Sequence, residues 1–281
     1  MSGNLRILHK IHSDDMIFSA SPSLVATLPE ENLQNPTRGS IARSTTAPAA
    51  QEIKGTFATA KIFSGLVLWR NNLTTDATWR LQLYSDEAWS VEVYDSGAVA
   101  AIEKKTLGDL DWGEDPLGAS VFVGWDIKHS VMWFDPIGAK SFKLTIADSG
   151  NADGYIQASR LILGSYLQAQ INVDWGNVLT WQRTTRQFRT GGGSLRSDPA
   201  PGGSWREMRI RHKWLSEVDR PKFFDLGRTP GLDSDLFVSM FPDESGSKGR
   251  DFSFVAKITQ APGMTMTIHQ QHSQPLVFQE T

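Results

Sequence analysis

Between Leu66 and Gly97 the chain reads LVLWRNNLTTDATWRLQLYSDEAWSVEVYDSG. Apolar and polar residues alternate along much of it with a period of two. Trp79, Leu81 and Leu83 fall on one side, and Thr78, Arg80 and Gln82 on the other. After Ser85-Asp86-Glu87 the alternation resumes, with Trp89, Val91 and Val93 against Ser90, Glu92 and Tyr94. Successive side chains of an extended chain point to opposite faces, so this period sorts a strand into a buried and a solvated face. Asn71-Asn72 and Thr74-Thr75-Asp76 supply the turns between strands. The stretch predicts three consecutive antiparallel strands, with Trp79, Leu81, Leu83, Trp89, Val91 and Val93 in the core.

The rest of the chain supplies strands to pack around these three, and an all-β class results. Upstream, Met16–Ala20, Gln51–Phe57 and Ala60–Trp69 read as strands. Downstream come Ser120–Trp125, a short Val131–Phe134, a turn at Pro136-Ile137-Gly138, a strand over Phe142–Ile146, and Tyr155–Leu163 ended by Gly164. With 281 residues the chain is longer than one sandwich needs, so two domains are expected. The predicted division is an arm over 1–13, a β-sandwich over 14–165 and a smaller β-rich domain over 166–281. In the last of these, Trp205–Trp214 turns Met208 and Ile210 one way and Glu207, Arg209 and Arg211 the other. Ser216–Phe224 is a short helix limited by Pro221, with Ser216 as its cap. Leu236–Phe241, Phe252–Ile258 and Met264–Ile268 are strands, and the residues after Ile268 are read as a tail. Two long polar segments, Ser21–Pro48 and Arg183–Gly203, are expected to be ordered loops or arms reaching neighbouring subunits.

Charge and composition narrow the function classes. A net charge of −3 gives no support for nucleic-acid binding, which usually needs a basic face. The absence of cysteine removes disulfides and thiolate metal sites. The first 18 residues lack a continuous apolar run and carry Asp14-Asp15, so no signal peptide is expected; nor is a membrane span. The pairs His9/His12 and His269/His272 lack the further ligands that zinc requires. Asp148, Asn151 and Asp153 with Gly150 and Gly154 are oxygen-rich, but their spacing is not that of an EF-hand, and turn chemistry explains them equally well. A second acidic loop, Gly108–Gly118, holds Asp109, Asp111, Glu114 and Asp115 around Trp112; it is read as a solvated loop or a rim for a basic partner. No nucleophile elbow, HExxH, P-loop or dinucleotide fingerprint is present, and no enzyme activity or cofactor is expected. The remaining candidates for glycan or partner contacts are Trp112, Trp125 and Trp133, whose faces suit sugar rings or protein anchors as well as a core. Arg183, Arg186 and Arg189 join them, a basic stretch with Arg196 around Phe188.

The strands also carry a resemblance. Ile62, Leu66 and Leu68, then Arg70-Asn71-Asn72-Leu73, Ala77-Thr78-Trp79-Arg80-Leu81 and Val91-Tyr94-Asp95-Ser96-Gly97 resemble virion proteins of tailed bacteriophages with a discoidin-like (galactose-binding-like) jelly roll. Ser19-Ala20-Ser21, Asn32-Leu33 and Ala42-Arg43-Ser44 are similar to that family's first strand and long loop. Phe142–Ile146, Tyr155–Leu161 and Gly164 are similar to its closing strands. Phe237–Pro242 and Phe252–Ile258 resemble the C-terminal part of phage minor tail and baseplate proteins. The resemblance implies a galactose-binding-like jelly roll followed by a tail-assembly domain, located in the virion at the tail tip or baseplate after assembly in the host cytoplasm. Its partners would be other tail proteins, further copies of itself in a ring or cap, and host-surface glycans. The alternative reading is a carbohydrate-binding module for cell-surface polysaccharide with no ring role; a glycan hydrolase is a third class.

Overall fold

The computed structural model describes residues 3–19, 23–47, 50–198, 203–228, 232–268 and 271–281, with the side chains of 267 and 268 left aside. The expectations for Ala20, Ser21, Pro48, Pro199–Gly202 and His269 lie outside these residues. In chain order the strands are β1 (Arg6–Ile11), β2 (Ile17–Ser19), β3 (Ala42–Arg43), β4 (Gln51–Trp69), β5 (Thr78–Tyr84), β6 (Glu92–Asp95), β7 (Val99–Ala100), β8 (His129–Ala147), β9 (Gln157–Ala158) and β10 (Arg160–Gln168). They continue with β11 (Val178–Arg183), β12 (Arg186–Arg189), β13 (Leu195–Asp198), β14 (Ser204–Leu215), β15 (Leu236–Ser239), β16 (Ser253–Ile258), β17 (Thr265–Ile268) and β18 (Gln271–Glu280). Among the described residues, two α-helices, α1 (Arg220–Arg228) and α2 (Gly246–Asp251), and two 3-10 helices, His12–Asp15 and Glu30–Gln34, complete the regular structure. The protein is all-β. Among the described residues no helix is long and apolar enough to cross a membrane.

The chain forms two compact units: Met1–Gln168 with Leu236–Ser253, and Ala169–Asp235 with Phe254–Thr281. The first unit thus takes back a segment, 236–253, from the half expected to be a separate domain. In this unit the strands are hydrogen-bonded in the order β15-β1-β10-β4-β8-β5-β6, with β2 on β4 and β7 on β5. Residues 1–13, expected as an arm, hold β1. It lies between β10 and β15, with Leu5, Ile7 and Leu8 buried. Gly164 does not end the neighbouring strand, which runs to Gln168. A Cβ on Gly164 would lie 1.8 Å from the Lys10 carbonyl oxygen, so only glycine permits the close approach of β10 to the bulge in β1.

The spine of the unit is a pair of 19-residue strands, β4 and β8. The sequence pattern predicts each as two pieces. They pair from Gln51↔Ile146 to Trp69↔His129, and register shifts between Thr56 and Lys61 and between Phe63 and Gly65 bend them without breaking them. Pro136-Ile137-Gly138 therefore lies within β8 rather than in a turn. Proline is tolerated there because the ladder is already irregular.

Trp79, Leu81 and Leu83 of β5 are fully buried, as their alternation predicts, against Phe57, Phe63, Phe142 and Leu144. Each buried leucine contributes about 2 kcal/mol of hydrophobic stabilisation. The second half of the pattern fails. Val91 and Val93 are 54% and 42% exposed. Trp89 is outside any strand, in the left-handed region at φ 54°, with its ring nitrogen donating to the Phe142 carbonyl. Asp86 explains this: its carboxylate accepts from the backbone N–H groups of Ala88, Ser90 and Val91 and from the Ser90 hydroxyl. Those bonds hold residues 86–91 as a loop and hold the Asp86 carboxyl down to about 2. A register shift between Leu83 and Tyr84 accompanies the loop, and the inward residue of the end strand β6 becomes Tyr94, stacked on Phe134 at 4.9 Å. Ser120–Trp125 is a set of turns, not a strand, although Val121 and Phe122 are buried. The described part of Ser21–Pro48 is an ordered segment. It contains a short 3-10 turn with buried Leu33, and its β3 pairs with β9.

In the second unit the order is β11-β14-β18-β16, with β17 on β18. The C-terminal residues expected as a tail form β18, a central strand of this unit. Met208, Ile210, Phe223, Phe254, Leu276 and Phe278 fill its core. The inward face of β14 also carries Arg206, whose guanidinium donates to both oxygens of Glu280 at 3.0 and 2.6 Å, with both side chains buried. Helix α1 starts at Arg220, later than expected, and Pro221 sits in its first turn, where a missing N–H costs nothing. Among the described residues, β12 and β13 pair only with each other.

Candidate functional site

At one end of the first unit β8 begins, and the loops 101–128 and 240–252 gather around it. They enclose a cleft of about 130 Å³. Its floor is the start of β8, residues 129–131. His129 is held flat against Trp69 at 5.3 Å and edge-on to Phe122 at 5.0 Å and Phe237 at 5.8 Å. Ser130 next to it accepts a hydrogen bond from the Asn71 side chain at 3.1 Å. Trp133 lines the wall and packs edge-on to Tyr166 at 5.4 Å.

The charged groups come from loops. Glu103 lines the cleft and accepts the backbone N–H of Gly246 at 2.8 Å, tying loop 101–104 to the start of α2. Glu244 pairs with Lys248 at 3.2 Å, and that ammonium lies 4.2 Å above the Phe241 ring. Arg250 donates to the Val121 carbonyl and lies 4.4 Å over Trp125. A more open hollow of about 450 Å³ lies beyond Glu103, lined by Thr75, Thr78, Ile102, Lys104 and Ser245. A third of about 300 Å³ lies beyond Arg250, lined by Lys105, Asp109, Asp111 and Val123. Glu103 thus lines both the cleft and the first hollow, and Arg250 both the cleft and the second. A groove with aromatic surface, two carboxylates and a guanidinium offers apolar faces for C–H groups, with acceptors and donors for hydroxyls.

The sequence-predicted residues are distributed unevenly over this geometry. Trp133 is in the cleft wall. Trp125 is under Arg250 and half-buried against the core. Trp112 stands on the acidic loop, 78% exposed, and does not line the cleft. Arg183, Arg186 and Arg189 belong to the second unit and are exposed. Sequence reasoning misses Glu103, His129, Glu244 and Arg250. Each sits in or beside a segment with no periodicity, where charged residues look like ordinary loop solvation. The one available signal is the pair Gly246 and Gly249 beside them, which marks a tight backbone rather than a free loop.

The oxygen-rich turn is explained without an ion. Both Asp148 oxygens accept hydrogen bonds, from the Thr74 hydroxyl and N–H and from Asn151. Asp153 accepts from Asn72. These bonds close the turn between β8 and β9. His12 packs edge-on to Phe63 at 5.6 Å, and burial with nearby Lys61 lowers its pKa. Among the described residues no group of three or more His, Cys, Asp or Glu is placed to hold a metal.

No family model matches this sequence, and a search of curated proteins finds no match. Among solved structures, the chain is similar to a family 32 carbohydrate-binding module of Clostridium perfringens NanJ in complex with galactose, with 16% identity, 57% of this chain and 98% of that one covered, and a TM-score of 0.37. It is similar to a third such module from a family 31 glycoside hydrolase of Clostridium perfringens, at 14% identity, with 56% and 95% covered and a TM-score of 0.39. It is also similar to a chitosan-binding module of a chitosanase/glucanase from Paenibacillus sp. IK-5, at 13% identity, with 56% and 96% covered and a TM-score of 0.33.

Proposed function

We propose that this protein is a non-catalytic recognition and assembly component of a bacteriophage tail tip or baseplate, whose first unit binds a host-surface glycan in the loop-end groove. The observation that carries the glycan reading is the cleft bounded by Trp133, Glu103, Glu244 and Arg250. Sugar recognition needs an apolar face for the ring and charged hydrogen-bonding groups for its hydroxyls, and this cleft combines both. The cleft measures about 130 Å³, and hollows of about 450 and 300 Å³ adjoin it at Glu103 and Arg250. The tail setting rests on the resemblance of Leu66–Gly97 and of the 237–258 region to phage virion proteins.

The test is a panel of host capsule and lipopolysaccharide fragments titrated against the wild-type protein and Glu244→Ala. Glu244 is at the rim, paired with Lys248 in an exposed ion pair, so its removal leaves the fold intact. Binding weakened about tenfold or more supports the glycan reading. Equal binding by both proteins, or silence across the panel, removes it. Labelling of the protein in intact virions tests the tail setting separately: label absent from the tail tip removes that part.

A further inference from the structure

We propose that the β12–β13 hairpin of one copy docks on the Gly108–Gly118 loop of a second copy. The contact deepens the proposed assembly role and rests on it.

The hairpin is unusual in its exposure. All residues of β12 and β13 are exposed, and among the described residues the two strands pair only with each other. A two-stranded hairpin alone in water is marginal, so a partner that covers one face would stabilise it. The register identifies that face. Phe188 lies opposite Arg196, and Arg186 opposite Asp198. Directly opposed residues share a face, as do residues two apart, so Arg186, Phe188, Arg196 and Asp198 form one surface, with two guanidinium groups against one carboxylate. It is an aromatic ring, 47% exposed, flanked by two guanidinium groups.

The acidic loop is the complementary object. Trp112 and Leu117 are each 78% exposed, with Asp111 and Glu114 exposed beside them. The loop is already shaped. Backbone N–H groups of Glu114 and Asp115 donate to the Asp111 carbonyl at 3.0 and 2.9 Å. Asp115 is pinned by Lys105 at 2.5 Å, which also lowers its pKa. Docking therefore orders little further backbone.

Charge selects the pairing. From 105 to 118 there are four acidic residues against one lysine; from 183 to 198 there are four arginines against one aspartate. Each surface has an apolar centre and a charged margin of opposite sign, which steers encounter and fixes register. Arginine over the Trp112 face adds a cation–π contact. Every copy carries both surfaces, and they are different patches, so the contact is heterologous and repeats from copy to copy.

Sedimentation of the full chain, at about 50 and 500 mM salt, tests this with two charge-reversed variants. One is Arg186→Glu with Arg196→Glu; the other is Asp111→Arg with Glu114→Arg. All four positions are exposed, and unchanged thermal melts check that both variants fold. The expected result is a self-associating wild type, weakened by the higher salt. Each variant alone should associate at least tenfold more weakly, and an equimolar mixture of the two should regain association, because each then meets only its complement. A wild type that stays monomeric, reversal without effect, or a mixture that does not recover overturns the inference. Label at the tail tip together with any of these leaves the tail setting standing and removes only the contact.

Discussion

The two units bury different chemistry. The first is closed by apolar side chains: Trp79, Phe57, Phe63 and Phe142 are each at most 2% exposed and meet across strands that pair along their length. The second is smaller and carries charge on the inward face of its sheet, whereas the first unit's buried Glu30, His129, Asp148 and Arg160 lie outside its apolar cluster. Arg206 and Glu280 face each other there, and His212 lies edge-on to Phe223 at 4.7 Å. The apolar cluster of the first unit keeps its energy over a wide pH range, since none of its buried members titrates. A core with a guanidinium, a carboxylate and an imidazole depends on every partner being present and in the right protonation state. The centre of the second unit's core therefore responds to pH and to loss of a partner, while the apolar cluster of the first does not.

The sharpest way to break this contrast is a pair of truncations. Glu280→Ala leaves Arg206 charged and buried without its carboxylate, and should cost the second unit about 3–5 kcal/mol. Trp79→Ala should cost the first unit a similar amount, about 3–5 kcal/mol, by opening a cavity. Hydrogen exchange read unit by unit checks both, each loss falling mainly on the unit that carries the change.

Acidification comes next. Burial pushes the His212 pKa down from 6.5 to about 4. The unfolded chain then binds a proton that the folded one refuses, so the contribution is complete above about pH 6.5 and is lost as pH falls toward 4. The loss amounts to about 3 kcal/mol, from a shift worth about 1.4 kcal/mol per unit. His212→Phe should flatten the pH dependence of the second unit between 4 and 6.5, measured by urea unfolding; an unchanged slope would sink the assignment. The smallest expected effect is in β6. Val93→Ala should change stability by no more than about 0.5 kcal/mol, because Val93 is exposed on an end strand. A loss near 2 kcal/mol would show that Val93 belongs to the core after all.

Local pattern carries the first unit where one strand face meets the core. The β5 residues Trp79, Leu81 and Leu83 are legible because β5 pairs with β8 over its whole length and both share one core. The same alternation misleads at Val91 and Val93, because the Asp86 loop shifts the register and no sequence period reports a register shift. β18 escapes notice for a different reason. Its buried residues include His272, Ser273 and Gln274, and Pro275 interrupts it, so it lacks an apolar period. The Arg206–Glu280 pair spans 74 positions and has no local signature. The groove is invisible in the same way: Glu103, His129, Glu244 and Arg250 are brought together only by topology. Trp133 is found because an aromatic side chain is conspicuous anywhere, while Trp125, equally conspicuous, lies packed beneath Arg250.

The proposed separation of glycan recognition in the cleft from self-association through the 186–198 hairpin is tested most directly by hydrogen exchange on the full chain with and without a binding host-surface oligosaccharide. Protection on addition of the glycan should appear at residues 100–104 and 240–250 around the cleft and leave the 186–198 hairpin unchanged. Protection of the hairpin with none at the cleft would contradict it.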